Sequence, residues 1–154
     1  MLILTTIFKL IYIHIAFSAF GIDHEYFYIA RANYFSDLGM FNHAIGNYKK
    51  ALEFSDDPKV LAALAWCYSQ IDQLDISLKY YRSASKKSPN NIDILIGLAY
   101  VELYNGNIIE SKKIINNRLV DASSEKHIKE IENLHNLIMD AENKDLNSGV
   151  IDNK

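Results

Sequence analysis

The feature that most constrains this chain is an internal repeat. The stretch Leu61–Pro89, LAALAWCYSQIDQLDISLKYYRSASKKSP, reads as two short amphipathic helices joined by a turn around Asp72, Gln73 and Leu74. Shifted 34 residues towards the C-terminus, Leu61, Leu64, Ala65, Asp72 and Ser77 fall on Leu95, Leu98, Ala99, Gly106 and Ser111. Shifted back by 33, Ala65, Tyr68, Asp72, Ser77, Tyr81 and Ala84 fall on Ala32, Phe35, Gly39, Ala44, Tyr48 and Ala51. Large and small residues recurring in one order at a fixed period mark a helical-repeat array. The physics requires both sizes. Small residues at Ala32, Ala65 and Ala99, and at Ala44, Ser77 and Ser111, let paired helices approach closely, and Tyr48 and Tyr81 fill the spaces between. A single helix pair cannot bury its apolar face alone, so each repeat is stabilised chiefly by its neighbours.

This order of residues resembles the tetratricopeptide repeat, whose pattern runs W-x2-L-G-x2-Y, then A-x3-F, then A, then P. Repeat two supplies Leu61, Leu64, Ala65, Tyr68, Ser77, Tyr81, Ala84 and Pro89. Repeat one supplies Tyr28, Ala32, Phe35, Gly39, Ala44, Tyr48 and Ala51, with Pro58 two residues late. Repeat three supplies Leu95, Leu98, Ala99, Gly106, Ser111, Ile115 and Leu119. It departs from the pattern at Glu102, where an aromatic is usual, at Arg118, where alanine is usual, and in lacking the closing proline. The resemblance covers residues 25–123. It implies an all-α, right-handed superhelical array of about three helix pairs followed by a C-terminal capping helix, and leaves the ligand open.

Turn chemistry agrees with this register. Gly39 suits a helix end, Asp57 an N-cap before Pro58, Ser88–Asn91 a break between repeats, and Asn105-Gly106-Asn107 an internal turn. Beyond Ser124, a stripe of Ile128, Ile131, Leu134 or His135, and Ile138 marks the cap helix, expected over residues 125–143. Residues 144–154 have few apolar side chains and read as a disordered tail.

Residues 1–20, MLILTTIFKLIYIHIAFSAF, hold fifteen apolar residues against Thr5, Thr6, Lys9, His14 and Ser18. Three readings stand: a signal peptide cleaved after Ser18 or Gly21, an uncleaved membrane anchor, or a soluble helix packed on the first repeat. Domain organisation follows as a signal peptide or anchor over 1–21, a repeat domain with its cap helix over 22–143, and the tail. The first two readings place the repeats outside the cytoplasm or at a membrane surface.

Sixteen basic and nineteen acidic side chains give a net charge of −3, which argues against binding nucleic acid by phosphate neutralisation. Pairs such as Lys49–Lys50 and Lys86–Lys87 fall late in second helices, where positive charge suits the helix dipole. The lone Cys67 forms no internal disulfide and reads as a buried, inert thiol. The five histidines (14, 24, 43, 127 and 135) form no pair four apart and no zinc spacing, and neither a phosphate loop nor a nucleophile elbow is present. No metal, cofactor or enzymatic activity is expected.

The informative site is the groove. By the resemblance, the first helix of each repeat lines the concave face where peptide ligands bind. The side chains on those slots are Tyr26, Ile29 and Asn33 in repeat one, Trp66, Ser69 and Gln70 in repeat two, and Ile96, Tyr100 and Tyr104 in repeat three. Some members grip a peptide's C-terminal carboxylate with basic and asparagine residues. Here only Asn33 falls on such a slot, the others holding Ile29, Ala63, Asp93 and Gly97. Trp66 and Tyr100 occupy equivalent slots one repeat apart, so the groove reads as aromatic, and aromatics dominate interfaces. The plain alternative is that Trp66 packs between adjacent first helices, or that the N-terminal segment or the tail fills the groove. The expected function is a protein-interaction adaptor, exported or membrane-tethered, binding a partner's apolar peptide or helix. The alternatives are a structural subunit of a larger envelope or membrane complex, or a cytosolic chaperone of the same repeat type.

Overall fold

The computed structural model describes residues 24–118 and 124–149. Seven helices and no strand are present among them: α1 (His24–Asp37), α2 (Phe41–Ala51), α3 (Pro58–Ser69), α4 (Leu74–Lys87), α5 (Ile92–Tyr104), α6 (Ile108–Arg118) and α7 (Glu125–Gly149). The chain divides into two compact units, residues 1–56 and 57–154. In the first, α1 packs on α2. In the second, α3 packs on α4, α4 on α5 and α5 on α6, with α7 against both α5 and α6. Short turns make the pairs α1–α2, α3–α4, α4–α5 and α5–α6 antiparallel.

The turn inside each repeat is one motif built three times. Gly39, Asp72 and Gly106 take positive φ values of 71°, 59° and 81°. The next amide then reaches back five residues, Met40 to the Phe35 carbonyl at 2.8 Å, Gln73 to Tyr68 at 3.0 Å and Asn107 to Glu102 at 2.8 Å. This is the Schellman closure, which occupies carbonyls that the helix end leaves open. Glycine adopts it without steric cost, and aspartate is among the few other residues that tolerate it.

The N-termini are capped as their sequences predict. The Asp57 carboxylate accepts from the Lys59 amide at 2.7 Å, with Pro58 as the first helical residue. Asn91 accepts from the Ile94 amide at 3.2 Å, and Ser124 from the His127 amide at 3.1 Å. Each such cap contributes about 1 kcal/mol.

Packing follows the small–large order. Ala32, Ala44, Ala65, Ser77, Ala99 and Ser111 are completely buried, and Tyr48 and Tyr81 are buried beside them. The two serines add a bond that alanine lacks. Ser77 Oγ donates to the Ala65 carbonyl at 2.7 Å and Ser111 Oγ to the Ala99 carbonyl at 2.8 Å, each tying the two helices of its repeat together.

Glu102, where an aromatic is usual, is almost fully buried. Its carboxylate accepts from Arg82 Nε at 3.0 Å and Nη2 at 2.7 Å, and from Asn107 Nδ2 at 2.8 Å, so the charge is matched inside the fold. In α7, Leu134 and Ile138 are buried, whereas His135 is exposed and Ile128 partly so. The helix runs to Gly149, six residues past the Asn143 expected as its end. Residues 144–149 are therefore helical rather than tail. The proposed leader or anchor over 1–21, the repeat-three position Leu119, and residues 150–154 lie outside the described residues.

Candidate functional site

Helices α3 and α5 are the first helices of repeats two and three, and α4 runs antiparallel between them. Between their C-terminal halves lies an open cavity of about 490 Å³, lined by Trp66, Ser69, Gln70, Asp72, Leu74, Tyr81, Gly97, Tyr100, Val101 and Tyr104. A second cavity of about 390 Å³ lies beside their N-terminal halves, lined by Lys59, Ala62, Ala63, Trp66, Tyr81, Asn91, Asp93 and Ile94. Trp66 and Tyr81 line both, so the two cavities adjoin at these rings along the groove.

The floor depends on a close approach. The Tyr81 ring lies against α5 at Gly97, and a β-carbon there would meet Tyr81 Oη at 2.5 Å and Cε1 and Cζ at 2.6 Å. Only glycine leaves room for the ring. Burial, with a smaller contribution from neighbouring Cys67, pushes the Tyr81 hydroxyl well above its ordinary value of 10.0, so it stays neutral.

The walls are partly open to solvent. Trp66 is 41% exposed and Tyr104 66%. The Tyr100 ring stacks on Tyr104, with centroids 6.4 Å apart and planes 17° from parallel. The Tyr100 hydroxyl accepts from Asn133 Nδ2 at 3.0 Å and donates to the Glu130 carbonyl at 3.4 Å, so α7 braces this wall. Ser69 Oγ donates to its own helix, to the Trp66 carbonyl at 2.7 Å.

Of the nine residues predicted for the site, Trp66, Ser69, Gln70, Tyr100 and Tyr104 line this one cavity. Ile96 does not. It is buried in the core, because α5 is packed by α3, α4, α6 and α7 and has few faces left over. Tyr26, Ile29 and Asn33 belong to the other compact unit, where Tyr26 is exposed and Asn33 Oδ1 accepts from the Tyr48 hydroxyl at 2.5 Å. Sequence reasoning missed Tyr81, Gly97 and Asp72 as lining residues. The available signal was Gly97 itself, a glycine in mid-helix one period after Ala63 and facing a repeat tyrosine.

Electrostatically the larger cavity is nearly neutral. Among the described residues its one lining charge is Asp72, and no Lys, Arg or His lines it. Lys59 and Asp93 border the smaller cavity. Burial pushes the Asp93 carboxyl up, but hydrogen bonds from His127 and Lys126, with their charges, outweigh it and hold the group below its ordinary 3.8. Among the described residues no cluster of three His, Cys, Asp or Glu side chains is arranged to hold a metal ion. Nor is any helix there long and apolar enough to cross a membrane.

No family model matches the chain. The Caenorhabditis elegans protein named tetratricopeptide repeat protein 8 is 30% identical over 109 residues, which cover 71% of this chain and 21% of that protein. The chain thus spans about a fifth of that relative's length. Among solved structures, the Sgt2 TPR domain from Aspergillus fumigatus superposes with a TM-score of 0.67 at 16% identity, over 77% of this chain and 82% of that one. The second TPR domain of human RPAP3, solved in complex with the HSP70 peptide SGPTIEEVD, superposes with a TM-score of 0.60 at 14% identity, over 72% and 98% of the two chains. Three repeats with one turn motif, one small–large packing order and these likenesses lead to one assignment: the chain is an all-α array of tetratricopeptide-type repeats.

Proposed function

We propose that the chain is a non-enzymatic protein-interaction adaptor that binds a segment of a partner protein in the groove between α3 and α5. The observation that carries this reading is the exposure of Trp66 and Tyr104 in the wall of a preformed cavity of about 490 Å³. Aromatics gathered in the wall of a cavity and open to solvent offer an interface large area at small entropic cost. The RPAP3 domain holds its peptide on the same fold.

We propose in addition that residues 1–20 direct the chain to export or hold it at a membrane, because fifteen of the twenty are apolar. Intact-mass measurement on membrane and soluble fractions tests this. Loss of about 18 or 21 residues supports export, full-length protein in membranes supports an anchor, and full-length protein in the cytosol defeats both.

The groove is tested by panning a random nonapeptide library against the full chain. Enriched peptides should shift Trp66 fluorescence, and Tyr104→Ala should abolish enrichment while far-UV circular dichroism stays unchanged. Trp66 is the only tryptophan, so its emission reports the site directly. Peptides that bind equally well to Tyr104→Ala would defeat the assignment.

A further inference from the structure

We propose that the partner segment is anchored in this groove by a cationic side chain, an arginine or lysine, held among Trp66, Tyr100 and Tyr104 with Asp72 at the rim. This rests on the groove being the peptide site and names the chemistry of its ligand.

Three independent features agree. First, the rings are the right groups: an aromatic face attracts a cation, most strongly from tryptophan, and here Trp66, Tyr100 and Tyr104 line one cavity. Second, the charge is complementary. Among the described residues Asp72 is the only charged one lining the larger cavity, and no lysine, arginine or histidine lines it; Lys59 lines the smaller cavity, as does Asp93. The Schellman turn fixes the Asp72 backbone, so its side chain is tethered at the edge of the cavity. Third, the cavity lies beside the C-terminal turns of both α3 (ending at Ser69) and α5 (ending at Tyr104), where helix dipoles present their negative ends. The N-terminus of α4 at Leu74 offsets one of the two.

The alternatives fit less well. A purely alkyl anchor would strip water from the oxygens of Ser69, Gln70 and Asp72 without replacing its hydrogen bonds. An acidic anchor, such as the carboxylates of SGPTIEEVD, would meet the aromatic faces and Asp72 with like charge and would find no basic partner among the described residues of the larger cavity. A guanidinium or ammonium satisfies those oxygens and the rings together.

The test extends the panning experiment. Peptides whose enrichment depends on Tyr104 should carry arginine or lysine. Replacing that residue by citrulline or norleucine should weaken binding about threefold to thirtyfold, the range from an exposed to a desolvated cation–aromatic contact. Asp72→Asn should weaken the same peptides, and Asp72→Gly, which keeps the turn without a side chain, should do so while the helix content is unchanged. SGPTIEEVD should not displace them. If the Tyr104-dependent peptides are anchored by leucine, phenylalanine or a terminal carboxylate, the cationic anchor is wrong and the groove stands. If no Tyr104-dependent peptide is recovered, the groove assignment and the cationic anchor both fall.

Discussion

Two glycine-to-alanine substitutions in helix interiors should have opposite effects. Alanine is better than glycine in a helix by about 1 kcal/mol, because glycine gives up more backbone freedom on folding. At Gly46, inside α2, an added β-carbon meets nothing within 4 Å. Gly46→Ala should therefore stabilise by about 0.5–1 kcal/mol. At Gly97, inside α5, the same carbon would lie 2.5–2.6 Å from three atoms of the Tyr81 ring, when ordinary contact begins at 3.4 Å. The ring must move by nearly an ångström, yet Tyr81 is only 5% exposed. Overpacking of this kind costs about 1–3 kcal/mol, so after the propensity gain Gly97→Ala should lose up to about 2 kcal/mol. The two variants should differ by the overpacking cost alone, about 1–3 kcal/mol. Urea denaturation followed by circular dichroism measures both, and Trp66 fluorescence follows the groove in the Gly97 variant. A shorter side chain removes the obstacle, so Gly97→Ala should cost less in a Tyr81→Leu background. A Gly97→Ala protein as stable as the Gly46→Ala protein, with unchanged Trp66 emission, would refute the close approach.

Ser77→Ala removes the 2.7 Å bond to the Ala65 carbonyl without changing the packing, since alanine already serves at Ala44; thermal denaturation should show a loss of about 1 kcal/mol. Arg82→Met takes two of the three hydrogen bonds from the buried Glu102 carboxylate and should cost about 1–3 kcal/mol. Adding Glu102→Phe, which restores the usual aromatic, should recover most of it, and a double variant no better than Arg82→Met would show that the pair is not coupled. The Asp93 carboxyl is held below 3.8 by α7, so its contribution to docking α7 is complete above that pH and is lost as pH falls through the lower folded value. Amide exchange in α7 relative to α3 should accelerate below about pH 3.8 and should become insensitive to pH in this range in Asp93→Asn; parallel behaviour of the two helices in the parent chain would count against it.

The array was legible because its physics is periodic. Close helix pairing demands small residues at fixed intervals, so Ala32, Ala65 and Ala99 recur at a spacing the eye can find. Asp72 was legible for a related reason: it aligns with Gly39 and Gly106, and all three take the left-handed conformation. Ile96 was misread because periodicity assigns one buried stripe to a helix, and α5 is covered by four neighbours. The Glu102 departure was visible, but its partners were not. Arg82 and Asn107 belong to different helices or turns, and only packing brings them to one carboxylate. Tyr81 was read correctly as a filler of space, but a residue that fills space from below also makes a floor, and sequence does not tell which side remains empty.

The bracing of Tyr100 by α7 makes two equilibria share one side chain. Asn133 and the Glu130 carbonyl hold its hydroxyl, while its ring forms a wall of the groove. A ligand that tightens the position of that ring must tighten α7 on the array, and undocking α7 must weaken the ligand by the same factor. The last helix is therefore part of the affinity of a site whose other walls lie on α3 and α5. Trimming the chain at Ser124 would alter binding even though every residue facing the ligand remained in place.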